Sequence, residues 1–443
     1  MHKPLLLLIA ACGLFAQEAT IRVNVQQVLV PVVVTDKRGH HVSGLKASDF
    51  HISEDGVQQE IAAFSSDKVG SVDDMVALAK PGAASPGPRH TFVICIDTLH
   101  ASPANAARTR QALENLFETE KPAGAQYVLI GIGRQLQVLQ PATTNPLEIL
   151  VKIRSAAWQS AMAGMDSATL ATEVQDIRRR INDLCKRCAC GTRSAQRDCD
   201  SEVDTLKQAV DGEAERWTKP LQELGGEFKS VVEELAKLPT GRTLILVSDG
   251  FYLDPKRELY LAAAASLPDR PQFKLEDVVH SEPMEAALKV AAERNVTIYT
   301  VDSRSNGGSA LNSGAGMSDA TSSGMGQGGS IDMLGTNRPA RGSGAVGPMQ
   351  SAANAPGAPL RLEESASMKE LAQSSGGMYF HDSSEMLKQL RSALADGREY
   401  YVLAYTPKNS ARDGKYRTIT VETTDKKLTL RSKPGYWADG AAQ

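Results

Sequence analysis

Two groups of residues in this chain could do chemistry. The first is three aspartates, each closing an apolar run: Thr91-Phe92-Val93-Ile94-Cys95-Ile96-Asp97, Thr243-Leu244-Ile245-Leu246-Val247-Ser248-Asp249-Gly250, and Val296-Thr297-Ile298-Tyr299-Thr300-Val301-Asp302. Carboxylates gathered at one edge could hold a hard divalent cation through oxygen. The second is a crowded set of thiols, Cys185, Cys188, Cys190 and Cys199. Four soft ligands in a short loop could hold Zn²⁺, a Cys-x-x-Cys could cycle between thiol and disulfide, and four thiols could close into two bridges.

The elements that must position the aspartates follow from the runs themselves. Six or so β-branched and aliphatic residues without polar alternation predict strands buried on both faces. Such strands belong to parallel sheets flanked by helices, and ligands sit beyond their carboxyl ends. Between the runs the pattern alternates: helix 103–120, strands at 127–132 and 136–139, and helix 146–157. Beyond them come helix 283–294, helix 365–374, a strand at 377–380, helix 384–397 and a strand at 400–407. This alternation predicts a right-handed parallel α/β sheet. Asp302 is expected at the same edge as Asp97 and Asp249.

Between the first and second runs lies a different pattern. Leu170, Val174, Ile177, Ile181, Leu184 and Cys188 are spaced by alternating fours and threes, and the spacing returns from Val203 to Leu238. This marks a helix–helix seam, read as an antiparallel hairpin over 166–238 with the cysteines at its tip. Its longer arm would run on the order of 55 Å as one straight helix. Gly225-Gly226 predicts a bend or break in that arm.

The fold class expected is therefore α/β. A doubly wound, mostly parallel sheet would span 90–400, carrying the hairpin and a Gly/Ser-rich stretch at 305–358 whose composition predicts disorder. Before it, 20–66 reads as a small N-terminal β-sandwich and 67–89 as a linker. After it, 400–443 reads as a β-rich extension.

Residues 1–17 read as a secretion signal, with a short basic start and an apolar core too short to span a bilayer. Ile9-Ala10-Ala11-Cys12 resembles a lipobox, which would leave Cys12 lipidated; cleavage after Ala16 would leave a soluble product. Either way the chain is expected to be exported, to the periplasm, the outer membrane surface or the medium. Membrane contact would come only through a lipid on Cys12. A net charge of −3 gives no basis for binding nucleic acid, and 5% aromatic residues form no stacking platform.

Export bears on the thiols. In an oxidising compartment, clustered thiols usually become disulfides. Structural bridges are the first expectation, Zn²⁺ the second and redox activity the third. Four cysteines allow three pairings, and Cys188 with Cys190 would close a strained ring. The basic tip, Lys186, Arg187, Arg193 and Arg197, is expected to be a solvated face, with docking of an acidic partner as the alternative.

The whole arrangement resembles a von Willebrand factor type A domain, and more narrowly the VWFA-related domain proteins of Acidobacteria. The resemblance rests on Val33-Val34-Thr35-Asp36-Lys37-Arg38-Gly39 with Asp49-Phe50 and Glu54-Asp55-Gly56, on Leu244 to Gly250, on Tyr401 to Pro407, and on Arg431 to Tyr436. It implies a metal-ion-dependent adhesion site. Two loop hydroxyls, a threonine and two aspartates would hold Mg²⁺ there and leave one position for a partner's carboxylate.

Asp97 and Asp249 match the two aspartates of that site. Its first loop should read Asp-x-Ser-x-Ser, and here Leu99 and Ala101 stand where the hydroxyls belong. Thr98, Ser102 and Thr169 are the remaining oxygen candidates. With two ligands lost, Asp97 and Asp249 are expected to accept backbone N–H bonds instead. His100, with no second histidine nearby, is expected to be a surface loop residue, and His40-His41 a solvated turn.

No nucleophile elbow, phosphate loop or paired metal-binding histidines are present. The expected function is a non-catalytic, exported protein–protein interaction module with a degenerate metal site and no cofactor. The alternatives are Mg²⁺-dependent adhesion through Asp97 and Asp249, and a Zn²⁺ or thiol-redox protein built on Cys185 to Cys199.

Overall fold

Apolar runs that cannot tolerate water on either face organise the centre of the molecule. The computed structural model describes residues 27–68, 90–121, 124–133, 135–162, 176–177, 179–184, 186, 196–238, 241–251, 255–266, 273, 282–304, 364–381 and 383–438. The expected leader with Cys12, most of the linker, the 305–358 stretch, Thr169, three of the clustered cysteines, Arg187 and Arg193 lie outside these residues.

Strands β5 (His90–Asp97), β6 (Ala125–Ile132), β7 (Gln137–Thr143), β8 (Arg242–Ser248), β9 (Thr297–Asp302) and β10 (Tyr379–Phe380) form a six-stranded sheet in the order β10-β9-β8-β5-β6-β7. Every residue of β5 is buried. All neighbours pair in parallel except β6 and β7, which a short loop joins antiparallel at the edge. β5 and β8 are direct neighbours, with Ile96 opposite Val247. Successive strands are added outward on both sides of this parallel pair, so the order of strand addition reverses here. A crevice beyond the strands' carboxyl ends forms at such a reversal.

Helices cover both faces. On one lie α1 (Pro103–Thr119), α2 (Pro146–Ile153), α3 (Ala156–Met162) and α8 (Met386–Asp396), burying Leu113, Phe117, Ile149, Trp158 and Leu390. On the other lie α4 (Gln196–Ala236), α6 (Glu282–Arg294) and α7 (Glu364–Ser374), burying Phe228, Val232, Leu288, Met368 and Leu371. α5 (Pro255–Ser266) packs outside, against the first half of α4. No helix among the described residues is long and apolar enough to cross a membrane.

Two expectations about the long arm need correction. α4 is one helix of 41 residues that runs unbroken through Pro220, Gly225 and Gly226. Pro220 costs roughly 3 kcal/mol in a helix interior and each glycine roughly 1. Burial of Leu221, Leu224 and Phe228 on the sheet contributes about 1.5–3 kcal/mol each, which offsets that cost. Nor is the whole of 166–238 an inserted hairpin. From Trp217 onward, α4 is a core helix on the sheet face. Only its first half, through Val203, Leu206 and Val210, pairs with the helical residues around Ile177, Ile181 and Leu184.

The chain's two ends form one unit rather than two. β1 (Val28–Thr35), β2 (Phe50–Glu54), β3 (Val57–Gln59) and β4 (Ile61–Lys68) interleave with β11 (Glu399–Tyr405), β12 (Tyr416–Thr423), β13 (Thr429–Ser432) and β14 (Gly435–Trp437). The two sheets run β13-β1-β11-β4 and β14-β12-β2-β3. The expected N-terminal sandwich thus takes half its strands from the expected C-terminal extension. Period-two alternation decides the faces. Val28, Val30, Val32 and Val34 point into the sandwich core with Tyr401, Leu403 and Tyr405, while the odd-numbered residues of β1 face the α/β unit. Inside, the hydroxyls of Tyr405 and Tyr436 donate to Glu54 Oε2 at 2.7 and 3.0 Å, which satisfies that buried carboxylate.

The two units meet closely below the sheet. Gly376 has φ +86°, and a Cβ there would lie 2.6 Å from the backbone nitrogen of Lys433. Gly226 sits in an open helical position, with nothing within 4 Å of the place a Cβ would take. Urea denaturation should therefore show opposite signs for two alanine substitutions. Gly376→Ala loses about 1–3 kcal/mol through strain and backbone collision, and Gly226→Ala gains about 0.5–1 kcal/mol.

Candidate functional site

The carboxyl edge of the sheet is built from three loops, one after each aspartate-bearing strand. After β5 the chain turns at once. Thr98 donates to the Ile132 carbonyl twice, from its amide at 2.7 Å and its hydroxyl at 3.1 Å. The hydroxyl therefore faces β6 rather than the crevice, and Gly133 leaves the room it needs, since a Cβ there would sit 2.6 Å from Thr98 Oγ1. Leu99 and Ala101, the two residues at the expected hydroxyl positions, are both buried, with Leu99 in the core beside the sheet. Ser102 caps α1, its hydroxyl accepting from the Asn105 amide at 3.3 Å ahead of Pro103. Of the oxygen candidates, Thr98 and Ser102 thus have other tasks, and Thr169 lies outside the described residues.

Asp97 is fully enclosed, and four donors converge on it. Oδ1 accepts from the amides of Leu99 at 2.9 Å and His100 at 3.1 Å. Oδ2 accepts from His100 Nδ1 at 2.9 Å and from the Ser248 hydroxyl at 2.6 Å. A carboxylate offers about four acceptor positions, and here all are taken. Because the carboxylate only accepts, Nδ1 of His100 carries the proton. Burial alone would raise the Asp97 pKa. The charge and hydrogen bond of His100, the Ser248 hydroxyl and the His100 amide outweigh it and hold the carboxyl below its ordinary value.

Asp249 is held by the other two loops. Oδ2 accepts from the Ser102 amide at 2.7 Å and from Asn105 Nδ2 at 2.5 Å, and Oδ1 accepts from the Ser303 hydroxyl. Ser303 also donates its amide to the Ser248 carbonyl at 3.0 Å. The last residue of β8 thus donates to the β5 aspartate, the β5 loop donates to the aspartate after β8, and the β9 loop bonds both Asp249 and Ser248. Burial dominates at Asp249 and raises its pKa, despite the opposing bonds from Ser303, Ser102 and Asn105.

Asp302 reaches the expected edge but turns to its own partners. Arg304 binds it through Nε at 2.9 Å and Nη2 at 2.6 Å, and the Tyr379 hydroxyl donates at 3.0 Å. The structure does not bring it to Asp97 and Asp249 as a third ligand.

His100 is not the surface residue expected. It is 6% exposed, lies against Asp97 and stacks on Phe251 with ring centroids 5.7 Å apart. The sequence lacked a second histidine, but the partner needed was a carboxylate three residues back. The pair His40-His41 also divides. His40 remains an exposed turn residue on Asp36, whereas Nε2 of His41 bonds the buried Asp396 at 2.7 Å, which raises the His41 pKa against the effect of burial. Sequence reasoning missed Asn105, Ser248, Ser303 and Phe251. Ser248 was visible as the lone polar residue closing an otherwise apolar run.

The donor set does not fit Mg²⁺. Octahedral coordination needs carboxylate oxygens with free lone pairs and neutral oxygens beside them. Here the lone pairs of Asp97 are filled, and the nearby hydroxyls are committed to protein atoms. Among the described residues, no three His, Cys, Asp or Glu side chains are arranged to hold a metal. Cys199 is disulfide-bonded, so it supplies no thiolate to Zn²⁺. Its partner, like Cys185, Cys188 and Cys190 as a set, lies outside the described residues. Cys95 is a free, buried thiol in mid-strand, its pKa raised by burial and by Asp97.

No family model matches the chain, and no curated protein does. Among solved structures, it is similar to a conserved hypothetical protein, BatB, from Bacteroides thetaiotaomicron, at 10% identity and TM-score 0.31 over 70% of this chain and 98% of that one. It is also similar to an aerotolerance-related membrane protein from Bacteroides fragilis, at 11% identity and TM-score 0.29 over 69% and 99%. A third is the PilB minor pilin of Streptococcus sanguinis, at 11% and 0.28 over 71% and 63%. The fold rests on strand order and register rather than on these likenesses. That order, with one antiparallel edge strand, is compatible with a von Willebrand factor type A-like fold.

The two aspartates should respond oppositely to substitution. Asp97→Ala orphans four donors, one of them a buried histidine, and should lose about 3–5 kcal/mol of unfolding free energy. Asp249→Asn can keep every partner, because its amide can donate to the Ser303 hydroxyl, and it removes a charge that burial disfavours. It should be neutral or slightly stabilising at pH 7. The pH dependence follows from the signs. Asp97, with a depressed folded pKa, contributes stability that is present above the ordinary carboxylate value of about 3.9 and lost as pH falls through its folded value. Asp249, with a raised one, costs stability as pH rises through its folded value. Chemical denaturation between pH 3 and 8 checks both.

Proposed function

We propose that this protein is an exported, non-catalytic interaction module, with a type A-like core whose edge carboxylates have been given over to holding loops together. The observation that carries this reading is the saturation of Asp97 by four internal donors. A carboxylate so engaged neither ligates a metal nor accepts a proton from a substrate, and the edge becomes a rigid platform. Rigid platforms suit recognition, since little freedom is lost on binding. Export is supported by the leader-like residues 1–17 and by the disulfide at Cys199, a bond that persists in oxidising compartments. Kinship with the Acidobacteria VWFA-related proteins is supported by the motifs in β1, β8, β11 and the segment 431–436.

A protein partner has an apolar foothold. On α2, Leu147 and Val151 lie four residues apart on the outward face and are 59% and 65% exposed. Large apolar side chains left in water as a pair are a feature of contact surfaces.

Two measurements test the reading. Calorimetric titration of the folded chain with Mg²⁺ or Mn²⁺ should give no saturable heat. Partners cross-linked to the protein in its native envelope should be retained in EDTA and lost, or weakened about tenfold or more, on Leu147→Asp with Val151→Asp. Retention that collapses in EDTA would favour the adhesion-site alternative instead.

A further inference from the structure

At the opposite end of the sheet from the aspartates, the two units enclose a cavity of about 250 Å³. Its size lies just below that of sites for drug-sized ligands, so it suits a compact molecule. One wall is the second face of the β13-β1-β11-β4 sheet, where Pro31, Val33 and Val402 present apolar surface. Three cations also line it: Arg242 at the start of β8 on the facing wall, Arg431 beside Val33 on β13, and Lys433 just past the end of β13.

These cations are only partly compensated. Arg242 donates from Nε to the Leu238 carbonyl at 2.6 Å and from Nη1 to the Arg294 carbonyl. Lys433 is buried, and Nζ donates to the Ala292 carbonyl at 2.8 Å and to Asn295 Oδ1 at 2.7 Å. Both rest on neutral oxygens, and one of the three donors of the ammonium is left over. Arg431 holds Asp396 through Nη2 at 2.6 Å, while its Nη1 is buried without a hydrogen-bond partner. Asp396 is the one carboxylate among the described lining residues, and its two oxygens are already taken by Arg431 and His41. Among the described lining residues the cavity therefore has unused donors and no unused acceptor charge. Burial also pushes the Lys433 pKa down to about 7, with Glu293 opposing from a distance, which is the mark of an ammonium short of negative charge.

We propose that this cavity binds a small organic carboxylate, with its oxygens on Arg242, Arg431 and Lys433 and its apolar body against Pro31, Val33 and Val402. Charge-assisted bonds to one buried and two partly buried cations would fix the carboxylate. The apolar wall would select for a short aliphatic or aromatic body. Because the site spans the seam, its ligand would join the sandwich to the α/β unit and raise the melting temperature. The inference is independent of the role proposed for the aspartate edge.

The test is calorimetry and thermal shift on the full chain with hexanoate, benzoate, hexylamine and inorganic phosphate. Hexanoate or benzoate should bind saturably at one site and raise Tm. Hexylamine should not bind, and phosphate should bind about tenfold more weakly or worse. Arg242→Met and Lys433→Met should each weaken hexanoate by about tenfold or more. Hydrogen exchange on the unsubstituted chain gives an arm that needs no variant: hexanoate should slow exchange around Arg242–Thr243 and Ser432–Lys433. The proposal is overturned by the absence of saturable carboxylate binding, by equal binding of the amine or of phosphate, or by protection confined to other regions.

Discussion

A carboxylate removed from water must find all its hydrogen bonds in the protein, and Asp97 is the place where this demand shapes the molecule. It sits at the end of the central strand of a sheet buried on both faces, so no solvent reaches it. Its four acceptor positions draw in two amides of its own loop, the ring of His100 and the hydroxyl of Ser248 from the adjacent strand. Meeting the demand fixes the β5 loop, and the fixed loop aims the Ser102 amide and Asn105 at Asp249. Ser303 then ties in the third strand. Low dielectric strengthens such a network when complete and penalises it when any member is missing. The edge is thus a single cooperative unit rather than three independent loops.

The same logic of faces explains why the chain's ends meet. β1 has alternating apolar residues on both sides, which would be wasteful in an exposed sandwich. Its even-numbered valines fill the sandwich core, while Pro31 and Val33 turn toward the α/β unit. A strand with two apolar faces must be covered twice, and here the second cover is the lower end of the parallel sheet. Gly376, with a backbone no side chain would allow so close to Lys433, lets that cover approach.

Much of this was legible in the residues. The three apolar runs predicted buried parallel strands, and β5, β8 and β9 lie side by side as neighbours. Leu99 and Ala101 stand where the resemblance implies hydroxyls, and both are buried. What escaped were consequences of packing between distant segments. Period-two alternation marks β1 and β11 as strands but cannot say that they pair across most of the chain's length, as Val30 and Leu403 do. The seam spacing in α4 is continuous, so nothing local shows that its partner changes from a neighbouring helix to the sheet near Trp217. His100 looked solitary because its partners are a carboxylate and a ring, Phe251, from another loop.

Parallel topology also decides where charge can be stored. In a sheet whose strands run the same way, each crossover helix returns antiparallel to them. Helix N-termini therefore gather at the carboxyl edge and helix C-termini at the other. N-termini favour anions and C-termini favour cations, by partial charges of about half a unit. Asp249 accordingly lies at the start of α1, on the Ser102 amide. Lys433 and Arg242 lie on carbonyls at the ends of α6 and α4, namely Ala292, Arg294 and Leu238. The two edges then differ in what remains unspent. Side-chain hydroxyls and amides complete the anionic edge, because such groups can donate to a carboxylate without adding charge. At the cationic edge, among the described residues, carbonyls, the Tyr299 ring and the carboxylate of Asp396 answer three cations, with Glu293 acting on Lys433 through charge alone. Half-charges from helix ends reduce that imbalance but do not close it, so the lower edge keeps an unfilled demand for negative charge while the upper edge has none.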